Sequence, residues 1–142
     1  ILLEHLNEYF DLSYPSPFML LTAKVRNEKL SLIPAVVHID KTARIQTVTK
    51  KDNGIFYDLI KEFYGLTNIP LLLNTSFNVN GKPIVETPDD ALKIFFNTDM
   101  DVLVMDRYVL DKDDKNIVRA RKRFKYLKHR FKVLNSLMAK IY

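Results

Sequence analysis

The sequence predicts an α+β (mixed α/β) domain: a twisted mixed sheet covered by helices, with a basic helix appended at its C-terminal end. Three observations carry that prediction. Residues 69–73 are a short apolar run that stops abruptly at Asn74, the pattern of a strand buried on both faces. Thr87-Pro88-Asp89-Asp90 opens a helix: Thr87 suits the N-cap, Pro88 the first position, and two acids fill the first turn. Strand and helix patterns interleave along the chain with no repeat, which favours a sheet and helices around one core.

At 142 residues the chain has the length of one domain, and 47% apolar against 27% charged residues excludes a disordered one. Cysteine is absent, which excludes a disulfide framework, a thiol nucleophile and cysteine-ligated zinc. No apolar run reaches the roughly 18 residues of a membrane span. Ile1-Leu2-Leu3 has neither an initiating Met nor the basic flank of a signal peptide. The expectation is a cytoplasmic chain that is a piece of a longer protein, cut at its start. The net charge of +5 divides unevenly. Residues 1–118 hold 13 Lys and Arg against all 17 Asp and Glu, a net of −4, whereas residues 119–142 hold 9 Lys and Arg and no acid. Such an asymmetry marks an appended basic segment.

In chain order, Leu2, Leu3, Leu6, Tyr9 and Phe10 recur at helical spacing, so residues 1–10 are predicted as a short amphipathic helix. Tyr14-Pro15-Ser16-Pro17 breaks it. Residues 18–25 read as a strand and residues 26–29 as the turn out of it. A second apolar run, residues 33–39, precedes Asp40, and the alternation of residues 45–49 suits a half-buried strand. Ile55, Leu59, Ile60, Phe63 and Tyr64 make a helical face that ends at Gly65, a good terminator. After the apolar run at 69–73 comes the helix begun at Thr87, which is expected to bury Ala91, Leu92, Phe95 and Phe96. Residues 102–105 and 108–110 close as a hairpin around Asp106-Arg107. The tail differs in kind: Phe124, Leu127, Phe131, Leu134, Met138 and Ile141 fall at steps of three and four, a heptad-like stripe with basic residues between. It is read as a helix that docks its stripe on the body, on a partner or on a second copy. Contact with nucleic acid is not favoured, because its aromatic residues sit mostly on the stripe.

The polar residues with chemical promise cluster after residue 73. Residues 74–81 carry three Asn, Thr75, Ser76 and Gly81. Asn, Ser and Thr fold back onto nearby amides and Gly81 can take positive φ. A polar loop at a strand's carboxyl end is where ligands bind in open α/β sheets, and its N–H groups can hold an anion; an ordinary turn is the alternative. Lys82 either adds charge to that loop or is solvated. Arg44, read as partly buried, needs an anionic partner, either a phosphate or carboxylate ligand or a structural partner such as Asp40. His38 near Asp40 is read as a satisfied core histidine rather than a metal ligand or base, and no metal site is expected.

Three segments in order resemble one family: Ser16-Pro17-Phe18-Met19-Leu20; His38-Ile39-Asp40-Lys41-Thr42-Ala43-Arg44-Ile45-Gln46-Thr47-Val48; and Asn74-Thr75-Ser76-Phe77-Asn78 with Gly81-Lys82-Pro83-Ile84-Val85 and Thr87-Pro88-Asp89-Asp90-Ala91. They look like the C-terminal domain of the nodulation and antibiotic-type O-carbamoyltransferases, over about residues 1–112, with 113–142 as a tail outside the pattern. The resemblance implies a YrdC-like domain, similar to threonylcarbamoyl-adenylate synthases. It would take carbamoyl phosphate and ATP with Mg2+ and make carbamoyl-adenylate. A separate N-terminal domain holding iron or another metal would then pass the carbamoyl group to a hydroxyl-bearing small-molecule acceptor. By motif, Arg44 and Ser76 become the catalytic contacts to the phosphates or carbamoyl group. Thr42, Asn74, Thr75, Asn78 and Lys82 become substrate- and nucleotide-binding residues.

Lys41 stands where Gly is common in that family, which bears on the turn before Thr42. The metal-containing domain is missing from this chain, so the expectation is a fragment inactive alone. Two other readings compete. One is a threonylcarbamoyl-adenylate synthase-like domain for tRNA modification, against which Asn74 and Phe77 follow the carbamoyltransferase form of the loop. The other is a non-catalytic interaction module that works through the basic tail.

Overall fold

The structure is a computed structural model that describes residues 1–119. The chain forms two compact units, Ile1–Thr75 and one that begins at Ser76.

In the first unit, residues 1–3 run extended beside residues 46–48. The Ile1 nitrogen donates to Gln46 O at 2.8 Å, Val48 N–H to Ile1 O at 2.8 Å and Leu3 N–H to Val48 O at 3.1 Å, a parallel bridge. The helix predicted for residues 1–10 is therefore shorter: a 3-10 turn over Leu3–His5 leads into α1, Leu6–Tyr9. Leu6, Tyr9 and Phe10 are buried as the spacing required. The first residues are taken from the helix because their backbone groups find partners in the neighbouring extended chain.

The strand predicted at 18–25 is β1, Leu21–Lys24, and it pairs antiparallel with β2, Thr42–Ile45, with Leu21 opposite Ile45 and Lys24 opposite Thr42. Phe18 and Leu20 stay exposed, so their apolar character extended the prediction beyond the ladder. Ala23, Ala43 and Ile45 point into the core with Ile33 and Leu71. The run at 33–39 is not a strand. It holds a 3-10 turn at Pro34–Val36, and Ile39 is fully exposed.

α2, Gly54–Thr67, begins at Asn53, whose Oδ1 accepts from Phe56 N–H at 3.2 Å. It does not end at Gly65. It runs on to Asn68, which takes the left-handed conformation (φ 57°) and donates its N–H to Tyr64 O. Asn is the residue after Gly best suited to that cap, so one glycine inside the last turn is tolerated. Ile60 is buried against Leu2 and Val48. Ile55, Leu59 and Leu66, by contrast, lie on an exposed face, Ile55 at 89%.

Residues 69–73 follow in extended form but join no ladder. Leu2 N–H donates to Pro70 O at 3.0 Å. Successive side chains alternate, as extended chain demands: Leu71 enters one core cluster and Leu72 packs on the other. Leu73 is 65% exposed. Pro70 is fully buried and Ile69 packs on the Leu71 cluster, so burial runs through residues 69–72 and stops at Leu73.

In the second unit, α3, Pro88–Asn97, forms as predicted, with the Thr87 hydroxyl accepting from Asp90 N–H at 3.2 Å. Ala91, Phe95 and Phe96 are buried with Leu103. β3, Val102–Met105, and β4, Tyr108–Asp111, make the predicted antiparallel hairpin, with Asp106 at φ 54° in its turn. The class is α+β, as the sequence predicts. Among the described residues the sheet is two antiparallel pairs plus two isolated bridges, Leu2 with Val48 (parallel) and Phe10 with Val25 (antiparallel), not one continuous mixed sheet. Residues 115–119 are helical; the basic heptad stripe beyond them lies outside the described residues.

Candidate functional site

The first unit carries a cavity of about 320 Å3, open to solvent on one side, within the size range of small-molecule sites. Met19, His38, Arg44, Gln46, Leu73 and Asn74 contribute to its lining. The backbone explains the grouping. Ala43 and Ile45 are buried in the core, so Arg44 and Gln46, two residues apart in extended chain, share the opposite direction. Residues 71–74 supply a second wall and residues 35–38 a third.

Gln46 ties two walls together. Its Nε2 donates to Pro17 O at 3.1 Å, and its Oε1 accepts from Asn74 Nδ2 at 2.8 Å. The segment carrying Pro17 is itself anchored in the core. Ser16 and Thr47 are both buried; Ser16 N–H donates to Thr47 Oγ1 at 2.9 Å and its hydroxyl to Ile45 O at 3.1 Å. Thr47 N–H returns to Ser16 O at 2.9 Å. Met19, on the same segment, is held at φ 55°, a conformation that L side chains adopt rarely and that clusters at functional sites.

His38 is not a core histidine. It is exposed on the cavity wall, and its Nδ1 lies 3.0 Å from Thr42 Oγ1. Thr42 gives its single hydroxyl hydrogen to Asp40 Oδ1 at 2.7 Å. Its oxygen therefore accepts from His38 Nδ1–H, and the neutral imidazole keeps its lone pair on Nε2. The Thr42 hydroxyl and then the Thr42 N–H, bonded to Asp40 at 2.7 and 3.0 Å, hold the Asp40 carboxyl below its ordinary value. Asp40 thus serves Thr42 and does not pair with Arg44.

Arg44 is exposed, and its side chain makes no hydrogen bond or ion pair among the described residues. The reading of Arg44 as partly buried, and the alternative of a structural pair with Asp40, are corrected: the side chain leaves the sheet on the face away from the core. Of the residues singled out in the sequence, the structure brings Arg44 and Asn74 together on the cavity and places Thr42 behind His38. Thr75 is exposed at the end of the first unit. Ser76, Asn78 and Lys82 belong to the second unit, all exposed. There Asn78 Nδ2 donates to Lys82 O at 2.8 Å, Lys82 N–H donates to Val79 O at 2.9 Å, and Gly81 sits at φ 75°. Asn78 closes its own turn, the plainer of the two readings of that loop. Sequence reasoning missed Gln46 and misplaced His38. The i, i+2 spacing from Arg44 was the available clue to Gln46. Among the described residues no three His, Asp or Glu side chains stand close enough to hold a metal ion.

Residues 1–112 match the family described as Carbamoyltransferase C-terminus. The chain is 41% identical over 112 residues to nodulation protein NolO of Bradyrhizobium diazoefficiens, covering 77% of this chain and 20% of NolO. It is 43% identical over 115 residues to nodulation protein NolNO of Sinorhizobium fredii, covering 79% and 17%. An uncharacterized protein of Synechocystis sp. is 42% identical over 132 residues, with 79% and 22% covered. The chain spans about a fifth of the length of these relatives.

Proposed function

This chain belongs to the carbamoyltransferase C-terminus family, and from that premise we propose that it is the nucleotide-handling part of an O-carbamoyltransferase. In this reading carbamoyl phosphate and ATP, the latter with magnesium, meet at the cavity of the first unit, and carbamoyl-adenylate forms. An N-terminal domain of the longer protein then passes the carbamoyl group to an acceptor hydroxyl. For the adenylating step to balance, carbamoyl phosphate first loses its phosphate to water and leaves carbamate; a carbamate oxygen then bonds to the α-phosphorus of ATP as the bond to pyrophosphate breaks, so one phosphate and one pyrophosphate leave. No protein nucleophile is called for, so this chain's residues act by positioning and charge neutralisation.

The observation that carries the reading is Arg44: an unpaired guanidinium, among the described residues, on a cavity wall beside an amide. Its planar fork suits phosphate and its charge is not already neutralised. His38 adds an acceptor or, once protonated, a second cation, and the apolar floor excludes water from one side. The test is calorimetric binding of ATP with magnesium to the 142-residue chain and to Arg44→Ala. Loss of one charge-assisted contact costs about 1.5–3 kcal/mol, or roughly ten- to a hundredfold in affinity. Equal affinity in the two proteins removes Arg44, and with it this cavity, from the reading. Ser76→Ala, measured alongside, reports whether the loop of the second unit contributes.

A further inference from the structure

The polarity of the amides at the cavity is set from the core outward. The Pro17 carbonyl can only accept, so Gln46 turns its Nε2 towards it, at 3.1 Å. That leaves Gln46 Oε1, also a pure acceptor, facing Asn74 at 2.8 Å, and Asn74 has to answer with Nδ2. The start of this chain of bonds cannot easily turn over, because buried Ser16 is bonded to Thr47 and Ile45 by both its N–H and its hydroxyl. Asn74 Oδ1 is then the one amide atom of the relay without a bond among the described residues, on a side chain that lines the cavity. Arg44, on the same cavity, supplies donors only. Both side chains are exposed at the wall, which therefore offers donors for an anion and an acceptor open to a ligand's N–H in place of water.

We propose that Asn74 is the specificity-determining residue of this site: its Oδ1 accepts from the amino group of a carbamoyl-type acyl phosphate, and Gln46 is the positioning residue that holds Oδ1 in that role. The proposal rests on the reading of the cavity as an acyl-phosphate site. An acetyl group presents a methyl where the carbamoyl group presents NH2, and it leaves the Asn74 oxygen facing C–H. A site that bonds a ligand N–H discriminates against the analogue lacking it, because the site's own acceptor goes unsatisfied.

Carbamoylphosphonate and acetylphosphonate are unreactive probes that differ only in NH2 against CH3. Their dissociation constants for the 142-residue chain are read by NMR titration, with the backbone spectrum as the check on folding. The wild-type chain is expected to favour carbamoylphosphonate by about tenfold, the scale of one net hydrogen bond. Asn74→Leu, similar in size and without the acceptor, should bring the ratio to near one by weakening carbamoylphosphonate alone. Gln46→Met frees the Asn74 amide to turn over and should give an intermediate ratio. Arg44→Ala should weaken both probes together and leave the ratio as it was. A wild-type ratio near one, or a ratio that survives Asn74→Leu, overturns the proposal while leaving the acyl-phosphate site standing. Failure of both probes to bind the wild-type chain overturns the site reading, and the proposal with it.

Discussion

Thr42 shows how one hydroxyl can set the state of two neighbours. It donates to Asp40 at 2.7 Å and receives from His38 at 3.0 Å. The Asp40 carboxyl, held down first by that hydroxyl, has a folded pKa below its ordinary value of 3.8. A depressed carboxylate contributes stability that is fully present above the unfolded pKa and is lost as pH falls through the folded one. Thr42→Val should therefore return the Asp40 titration, followed by carbon-detected NMR, towards 3.8. The variant's stability deficit should be present at neutral pH and fade on acidification below the folded value. A titration that stays put would show that the Thr42 hydroxyl is not what holds Asp40. One residue earlier, Lys41 sits at φ 64°, in the left-handed region that costs a residue with a Cβ about 1–2 kcal/mol. The expectation of a glycine-type position before Thr42 came from the motif, and the backbone gives it a physical reason. Lys41→Gly relieves that strain against an entropic cost of roughly 0.5–1 kcal/mol. A net gain of about 0.5–1 kcal/mol in urea denaturation is expected.

Among the elements, α3 was fully legible because its start is local chemistry. Thr87 accepts from Asp90 N–H and donates to Asp90 Oδ2 at 2.7 Å, and Lys93 reaches Asp90 Oδ1 at 2.9 Å. Thr87→Ala should cost about 1 kcal/mol of stability in chemical denaturation, and Thr87→Ser should restore most of it. The β3–β4 hairpin was legible for the same reason, since a turn at Asp106-Arg107 brings neighbouring segments together. α2 was legible in existence but not in extent. Gly65 has room around it and no positive φ, and the choice of Asn68 as the cap depended on Tyr64 O being free to accept its N–H. The α2 face was misjudged too: Ile55 and Leu59 were read as inward, yet Ile60 is the buried residue and they are exposed. Periodicity ranks the faces of a helix but does not say which one a neighbour will cover.

At the scale of the molecule, the first unit holds two apolar clusters, one around Leu6, Tyr9, Phe10 and Ile45 and one around Leu2, Val48 and Ile60, and the second unit is built around Phe95, Phe96 and Leu103. Nearly every residue in them was apolar and at a readable period, and the α+β class followed from that. Residues 69–73 fared less well. Their apolar run foretold an interior strand, while the structure gives extended chain joined to Leu2 by a single backbone bond. Apolar side chains fix a preference for burial, but a ladder needs a partner strand in register, and that partner is a non-local choice. The cavity has the same origin. Arg44 and Asn74 were identifiable by residue type, and their place on one cavity, with Asn74 bonded to Gln46, was not, because a sequence separation of 28 between Gln46 and Asn74 leaves no local trace of that contact.

The sequence by itself determined what rests on neighbours along the chain: the Thr87 cap, the hairpin turn, the positive φ of Gly81, the apolar periods that build the cores, and the motifs that mark the family. Only the tertiary structure decided that the Arg44 side chain stands unpaired among the described residues on a cavity wall, that His38 lines that cavity with Thr42 behind it, and that Gln46 orients Asn74. Local conformation is set by sterics and hydrogen bonds within a few residues, whereas the pairing of distant polar groups depends on which of many chain closures buries the most apolar surface.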